Sequence, residues 1–431
     1  MNVRSVLILI LIAAAQCRGQ ETPAWSIHFQ ATSIGQWHDS FASLYEGANS
    51  LPSHPERRVS LTGTIFIDYR LNSHWDFVAN PEIAGGKGFG QVTGIAGFTN
   101  GEIPRVASAT PALYPARAFV RYTAPLGGEE VEPIEDGPNQ TAASLPVNRT
   151  TTIAGRFALT DFFDNNTYSH DPRTQFMNWS LMYNGAWDYP ADVRGYTIGI
   201  YQELHTRTWA LRAAMAMEPT VANGPTLDTR VGRNSGQVVE FERDLKPFSK
   251  PAAVRLLGFL NREDAGTYRE AMQTAGTPDL GPTRRNGTIK YGFGLNVEQA
   301  LSTDAGVFAR YGWNDGKTET WAFTEIDRSL SAGFTLRGRA WRRPADVIGI
   351  GAVQNYISGD HRTFLAAGGY GFIIGDGRLN YHPEQILESY YAFHVTKQWT
   401  VTADYQHINN PAYNRDRGPV EVASLRLHWE R

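Results

Sequence analysis

The chain has 431 residues, with 40 basic and 43 acidic side chains, a net charge of −3, 42% apolar residues, 12% aromatics and 42 glycines. The near balance of charge, without a basic tail or stripe, excludes an electrostatic binder of nucleic acid. No apolar run reaches the ~18 residues of a spanning helix, and the single cysteine, Cys17, excludes a disulfide scaffold.

Residues 1–20 read as a secretory signal, with Arg4 ahead of an unbroken apolar run at 6–15 and small or polar residues after it. Cleavage is expected between Ala15 and Glu21. Lipidation at Cys17 is disfavoured, because Gln16 stands where a small residue is wanted. Residues 21–431 are expected to form one domain; losing Arg4 and Arg18 leaves 38 basic against 43 acidic groups.

From there the chain reads as sixteen strand-like segments, near 25–36, 58–70, 75–83, 116–123, 150–160, 194–204, 208–217, 236–244, 252–262, 288–298, 305–314, 329–340, 346–356, 386–396, 398–408 and 420–430. Each is about ten residues long and several alternate strictly. In the fifteenth, Trp399, Val401, Ala403 and Tyr405 share one face, and Thr400, Thr402, Asp404 and Gln406 share the other. The last puts Leu425, Leu427 and Trp429 opposite Ser424, Arg426 and His428. Apolar outside, polar inside and aromatic near the ends is the pattern of an outer-membrane β-barrel with a polar lumen. Trp399, Tyr405, Tyr311, Trp313 and Trp429 are expected in the interfacial girdle.

The connections should alternate long outside and short inside. Long loops are expected at 38–57, 84–115, 161–193, 218–235, 263–287, 315–328, 357–385 and 409–419, and short turns at 71–74, 205–207 and 397. The exception is 124–149, which falls on the short side yet is rich in Glu, Pro and Gly. It is either a periplasmic excursion or a hidden strand pair. Residues 162–189 are expected to be partly helical and to lie in or over the pore.

Alternation turns Arg117 and Arg121 inward, opposite Ala118, Val120 and Tyr122, and by the same logic Arg156, Arg212, Arg310, Arg337, Arg339 and Arg426. Asp68, Glu82, Glu203 and Asp404 are the expected inward acids. Guanidinium donors and carboxylate acceptors together match the hydroxyls of a sugar. Phe308 and Tyr390 also face inward, either to stack on a sugar ring or to pack under a loop. Enzyme signals are poor: no HExxH, nucleophile elbow or cysteine cluster occurs, and neither cofactor nor metal is expected. His170-Asp171 and Asp360-His361 read as solvated loop turns.

Short passages along the mature chain carry a resemblance. They include Tyr45-Glu46-Gly47-Ala48-Asn49-Ser50-Leu51, Asn80-Pro81-Glu82-Ile83-Ala84-Gly85-Gly86, Gly155-Arg156-Phe157 and Asp161-Phe162-Phe163-Asp164-Asn165-Asn166. Trp187-Asp188-Tyr189-Pro190, Arg310-Tyr311-Gly312-Trp313-Asn314-Asp315-Gly316 and Asp404-Tyr405-Gln406-His407-Ile408-Asn409-Asn410-Pro411 continue it. In these the chain resembles the carbohydrate-selective porins of the OprB type. The resemblance implies a sixteen-stranded transmembrane antiparallel β-barrel with inward-folded extracellular loops and an eyelet lined by arginines and acids. The pore-lining candidates are Glu82, Arg117, Arg121, Arg156, Glu203, Arg310 and Arg337. The chain departs from such barrels in ending Trp429-Glu430-Arg431 rather than on an aromatic residue.

The expected function is passive, selective diffusion of carbohydrates, monosaccharides such as glucose, into the periplasm; an anion-preferring or general diffusion porin is the alternative. The implied partners are small-molecule sugars, outer-membrane lipid and lipopolysaccharide, and the barrel assembly machinery during insertion. Nucleic acid is not among them, and the oligomeric state stays open. A barrel enzyme would need a Ser/His pair at the rim. A plugged receptor would need a folded N-terminal plug, yet the first strand begins just after the signal.

Overall fold

The computed structural model describes residues 24–103 and 110–431, so the expected signal at 1–20 lies outside the described residues. In chain order the strands are β1 (Trp25–His38), β2 (Glu56–Arg70), β3 (Trp75–Gly86), β4 (Ala112–Pro125), β5 (Val131–Ile134), β6 (Ala143–Pro146), β7 (Arg149–Phe157), β8 (Thr197–His205) and β9 (Trp209–Ala216). They continue as β10 (Ser235–Leu245), β11 (Ala252–Ala265), β12 (Arg285–Ala300), β13 (Ala305–Asn314), β14 (Arg328–Gly338), β15 (Arg343–Tyr356), β16 (Glu384–His394), β17 (Trp399–Asn409) and β18 (Val420–Glu430). Among the described residues, sixteen of these close into one antiparallel barrel, and β5 with β6 form a separate two-stranded sheet. All sixteen segments expected from alternation are wall strands. The ambiguous stretch 124–149 is both a periplasmic excursion and a strand pair.

Each strand turns alternate residues in and out, and burial follows the alternation. In β17 the residues Thr400, Thr402, Asp404 and Gln406 are buried while Trp399, Ala403 and Tyr405 are exposed. Inward residues are covered by loop segments packed inside the barrel, whereas outward ones face the lipid. Aromatic pairs mark the ends of the band: Trp25 on Tyr69 at 4.5 Å and Trp75 on Tyr122 at 4.8 Å at one rim, Tyr291 on Trp313 at 5.9 Å at the other.

The barrel closes where β1 pairs with β18, Gln30 through His38 against Glu430 through Val422. Arg431 extends that seam, with its N–H and C=O bonded to Phe29 at 2.9 and 2.8 Å. The polar ending therefore sits inside the ladder, with Trp429 directed outward against Trp399 at 6.4 Å.

Short turns are held by their own side chains. Asn72 Oδ1 accepts from the N–H of His74 and Trp75 at 2.9 and 3.1 Å, and Thr396 Oγ1 accepts from Gln398 and Trp399 at 3.1 Å. Such side-chain turns reverse the chain without a longer loop.

Long loops pack against the inward faces of the wall strands. Residues 158–196 are pinned by wall side chains from many strands: Glu240 accepts from Asp164 N at 2.7 Å, and Glu388 accepts from Met177 N and Asn178 N at 2.6 and 3.0 Å. Arg426 donates to Pro172 O and Gln175 O at 2.6 and 2.8 Å. Residues 87–103 are held likewise, Glu384 accepting from Ala96 N and Gly97 N at 3.0 and 2.8 Å. Wall glycines make room for the longer loop: a Cβ on Gly312 would lie 1.8 Å from Asn184 Oδ1, and one on Gly306 would lie 2.0 Å from the Tyr168 ring. Phe308 and Tyr390 pack against Phe176 of this loop at 5.5 and 5.0 Å, so they support it from below.

The helix expected in part of 162–189 is the four residues Trp179–Met182. Two expectations change. His361 is fully buried, bonded to Asp327 at 3.1 Å and stacked on Tyr268 at 4.3 Å, so Asp360-His361 is no solvated turn. Arg339 lies in the turn after β14, paired with Asp304 at 2.9 Å, outside the wall ladder.

Candidate functional site

Packed on one side by loop 158–196, the barrel keeps a passage along β2, β3 and β4. It holds a cavity of about 660 Å³, of the size of a small-molecule site. Its polar lining is a set of paired ions. Arg117, from β4, grips Asp161 of the loop with a fork of 2.8 and 2.5 Å and reaches Asn80 at 2.7 Å. Arg173, from the loop, bonds Glu82 of β3 at 2.9 Å and Glu102 at 2.7 Å. Tyr114 donates its hydroxyl to Glu82, and Tyr196 donates to the same carboxylate at 3.4 Å, with the Arg117 guanidinium 5.4 Å from its ring. Nearer the periplasm, Arg121 bonds Asp68 and Asp76, each at 3.0 Å.

Burial lifts the Glu102 carboxyl above the usual range despite Arg173. The Asp171 carboxyl is held below that range against burial, by Arg173, by the Arg173 backbone N–H and by the Thr174 hydroxyl. Asp171 and His170 line the cavity, so this pair is part of its wall rather than a solvated turn.

The remaining lining is aromatic. Phe98 stacks on Trp179 at 4.9 Å, Trp179 on Phe323 at 5.2 Å and Phe323 on Tyr189 at 4.7 Å, with interplanar angles of 20°, 26° and 25°. Four rings from three loops make one continuous surface, and all four line the cavity. The Trp179 indole N–H is buried and has no protein acceptor.

Of the candidates taken from the sequence, Glu82, Arg117 and Arg121 are brought together on this cavity. Arg156 does not. It pairs in register with Ala118 and Ile198 on the outer face, at the rim. Its side chain turns back to Pro115 O at 2.7 Å and Asp192 at 2.5 Å, 5.7 Å from the Tyr196 ring. The alternation of β7 misleads because Ile153 and Phe157 face inward, under the loop, rather than toward lipid. Arg310 faces inward but is 2% exposed and spent on the loop, bonding Leu181 O at 3.0 Å, Ser169 O at 2.5 Å and Asp164 at 3.1 Å. Glu203 pairs with Arg212 at 2.9 Å in a ladder of wall ions that continues to Glu240 and Glu242. Arg337 lines a separate cavity of about 720 Å³ beneath the loop, with Tyr168, Glu298 and Tyr390.

Missed from sequence were Arg173, Glu102, Asp161 and the aromatic stack, which lie in loops where period two gives no orientation, and Tyr196, which falls in the expected segment 194–204 but precedes β8 in the structure. A partial signal existed. Asp164 stands in one passage of the resemblance and Arg310 in another, and the structure joins these two as a loop anchor. Asp188 is a further such anchor, accepting from the N–H groups of Trp321, Ala322 and Phe323 at 2.8, 2.9 and 2.9 Å and from Lys290 at 3.2 Å.

A closed sixteen-stranded barrel with an apolar outer band and paired ions on its inner face is an outer-membrane porin. The polar passage is lined with donor–acceptor pairs and stacked rings. The chain belongs to the carbohydrate-selective porin, OprB family, whose family model matches residues 86–430. It is accordingly an outer-membrane channel for sugars, and its family and fold are those of channels rather than enzymes. Among solved structures it is similar to the high-pH form of Pseudomonas putida OprB, with 14% identity over 95% of this chain and 94% of that one and a TM-score of 0.71. The outer-membrane channel DcaP of Acinetobacter baumannii shares the fold at 8% identity, 94% and 97% coverage and a TM-score of 0.52. Salmonella typhi OmpF, in complex with daunomycin, does so at 9%, 94% and 97% coverage and 0.51. No curated protein sequence matches the chain.

Proposed function

We propose that the cargo is a monosaccharide of the glucose type, bound in transit between the paired ions of Glu82, Arg117 and Arg173 and the stacked rings around Trp179. The observation that carries this reading is the pairing itself. Arg117, Arg121 and Arg173 each sit on carboxylates, so the passage offers forked donors and acceptors with little net field. Neutral hydroxylated cargo suits that arrangement, whereas an anion pore needs positive charge left uncompensated. Hydrogen bonds to charged groups contribute about 1.5–3 kcal/mol each, so two or three give binding weak enough to release. The apolar face of a sugar ring would pass along the edge of this stack, where Phe98 is only half-buried.

Export by removal of residues 1–20, insertion by the barrel assembly machinery and contact with lipopolysaccharide at the outer rim complete the proposal. The test is glucose block and reversal potential on one purified Trp179→Ala channel. Removing the ring that Phe98 and Phe323 stack on should weaken glucose block by about tenfold at unchanged ion preference. Unchanged block with altered anion preference would favour the anion pore instead.

A further inference from the structure

We propose that the β5–β6 hairpin is the exit filter of the channel, a second site whose uncharged tip sizes hydroxylated cargo as it leaves; the proposal rests on the sugar path argued above. The hairpin leaves the wall at β4 and returns at β7, but it does not hang free below the barrel. It crosses beneath β3 to the inward faces of β2 and β1. Thr141 Oγ1 donates to Asp68 at 2.8 Å, Gln30 Nε2 donates to Asn139 at 3.3 Å, and Arg70 donates to Ala142 O at 3.3 Å. His28 lies 3.2 Å from Asp136.

A two-stranded hairpin is marginal by itself, and this one is braced along its length. Gly137 and Gln140 exchange backbone bonds of 2.9 and 3.0 Å, Asp136 accepts from Ala142 N at 3.1 Å, and Gln140 Nε2 donates to Glu135 O at 2.7 Å. At the base, Arg149 bonds Glu132 at 2.6 Å. The neighbouring reversals on the same side, such as Thr206–Thr208 and Thr396–Gln398, need only a few residues held by a threonine hydroxyl. The extra length here is therefore unnecessary for joining strands.

What it does is close the cavity. Residues Gly137, Pro138, Asn139 and Gln140 line the same 660 Å³ space as Glu82 and Arg117, next to Gln30 and the rings of Phe66 and Phe119. Cargo released by the ionic eyelet thus meets, beside the paired Arg121, amides that donate and accept without charge and the rings of Phe66 and Phe119. The chamber between eyelet and tip admits one short cargo at a time, and a longer one must thread past the tip while still held above.

Liposome swelling with a graded panel (arabinose, glucose, sucrose, raffinose) tests this on the full mature barrel. Replacing residues 131–146 by Gly-Gly should raise the sucrose-to-glucose rate ratio by at least about fivefold and raise ion conductance, since pore cross-section sets what passes. An unchanged ratio and conductance in a heat-modifiable, folded variant overturns the proposal. Asn139→Trp serves if the shortened chain does not fold: it should slow glucose by at least about threefold while glucose block at the eyelet stays at the parent value. A parental swelling rate in that variant also overturns it. Failure of the eyelet reading shows elsewhere, as unaltered glucose block in Trp179→Ala and Arg117→Ala.

Discussion

Replacing Arg310 with Ala tests whether the inner loop is held from the far wall. The side chain is 2% exposed and makes bonds to Asp164 Oδ1 (3.1 Å), Asp164 O (3.2 Å), Ser169 O (2.5 Å) and Leu181 O (3.0 Å). Truncation leaves the Asp164 carboxylate buried without its cation and strips three carbonyls of a donor. Breaking a buried ion pair in this way costs about 3–5 kcal/mol. That corresponds to a shift of roughly two to three and a half decades in the equilibrium between seated and released loop. The cost falls on the loop and not on the wall, because the β12–β13–β14 ladders do not use this side chain. The loop also keeps its Arg426, Glu240 and Glu388 anchors, so the expected state is one that opens transiently. Planar-bilayer recording should show larger unitary conductance, more open-channel noise and weaker glucose block, with gel heat-modifiability retained. Arg310→Lys should not restore the parent behaviour, since an ammonium cannot span the forked set of acceptors. Conductance, noise and glucose block all equal to the parent would refute the anchoring argument.

Arg117→Ala releases Asp161 and Asn80 together, so the passage gains negative charge. Glucose block should weaken by about tenfold to a hundredfold, matching a lost charged hydrogen bond of about 1.5–3 kcal/mol, and reversal potentials should move toward cations. Arg173→Gln should move them in the same direction, because it leaves both Glu82 and Glu102 without their cation. On the wall, Leu427→Arg puts a charge on a lipid-facing position that is 42% exposed, at about 2–4 kcal/mol near the midplane. Thr335→Arg points into the 720 Å³ inner cavity and should assemble as the parent does. Equal loss of heat-modifiability in both would contradict the assignment of faces. Phe176→Ala removes a ring seated against both Phe308 and Tyr390, and at about 3–5 kcal/mol it should loosen the loop much as Arg310→Ala does.

The sequence by itself determined the wall. A strand buries or exposes by period two, so the face of Thr402 or Leu427 follows from its neighbours, and sixteen such segments with alternating long and short connections leave a closed barrel as the consistent answer. That logic reached Glu82, Arg117 and Arg121 because they lie on wall strands with clean alternation. It failed at Arg156, where β7 turns Ile153 and Phe157 toward a packed loop and the apolar face is the inner one. It could not separate Arg117, which borders open space, from Arg310, which is equally inward but consumed by loop carbonyls. That difference depends on where residues 158–196 lie, a matter of contacts between residues more than a hundred positions apart. Only the tertiary structure could bring Arg173 to Glu82, stack Phe98, Trp179, Phe323 and Tyr189 from three loops, or carry the 137–140 tip to Gln30. Periodicity orients a side chain relative to its own backbone, and a pore is made by side chains meeting across a space that no local pattern encodes.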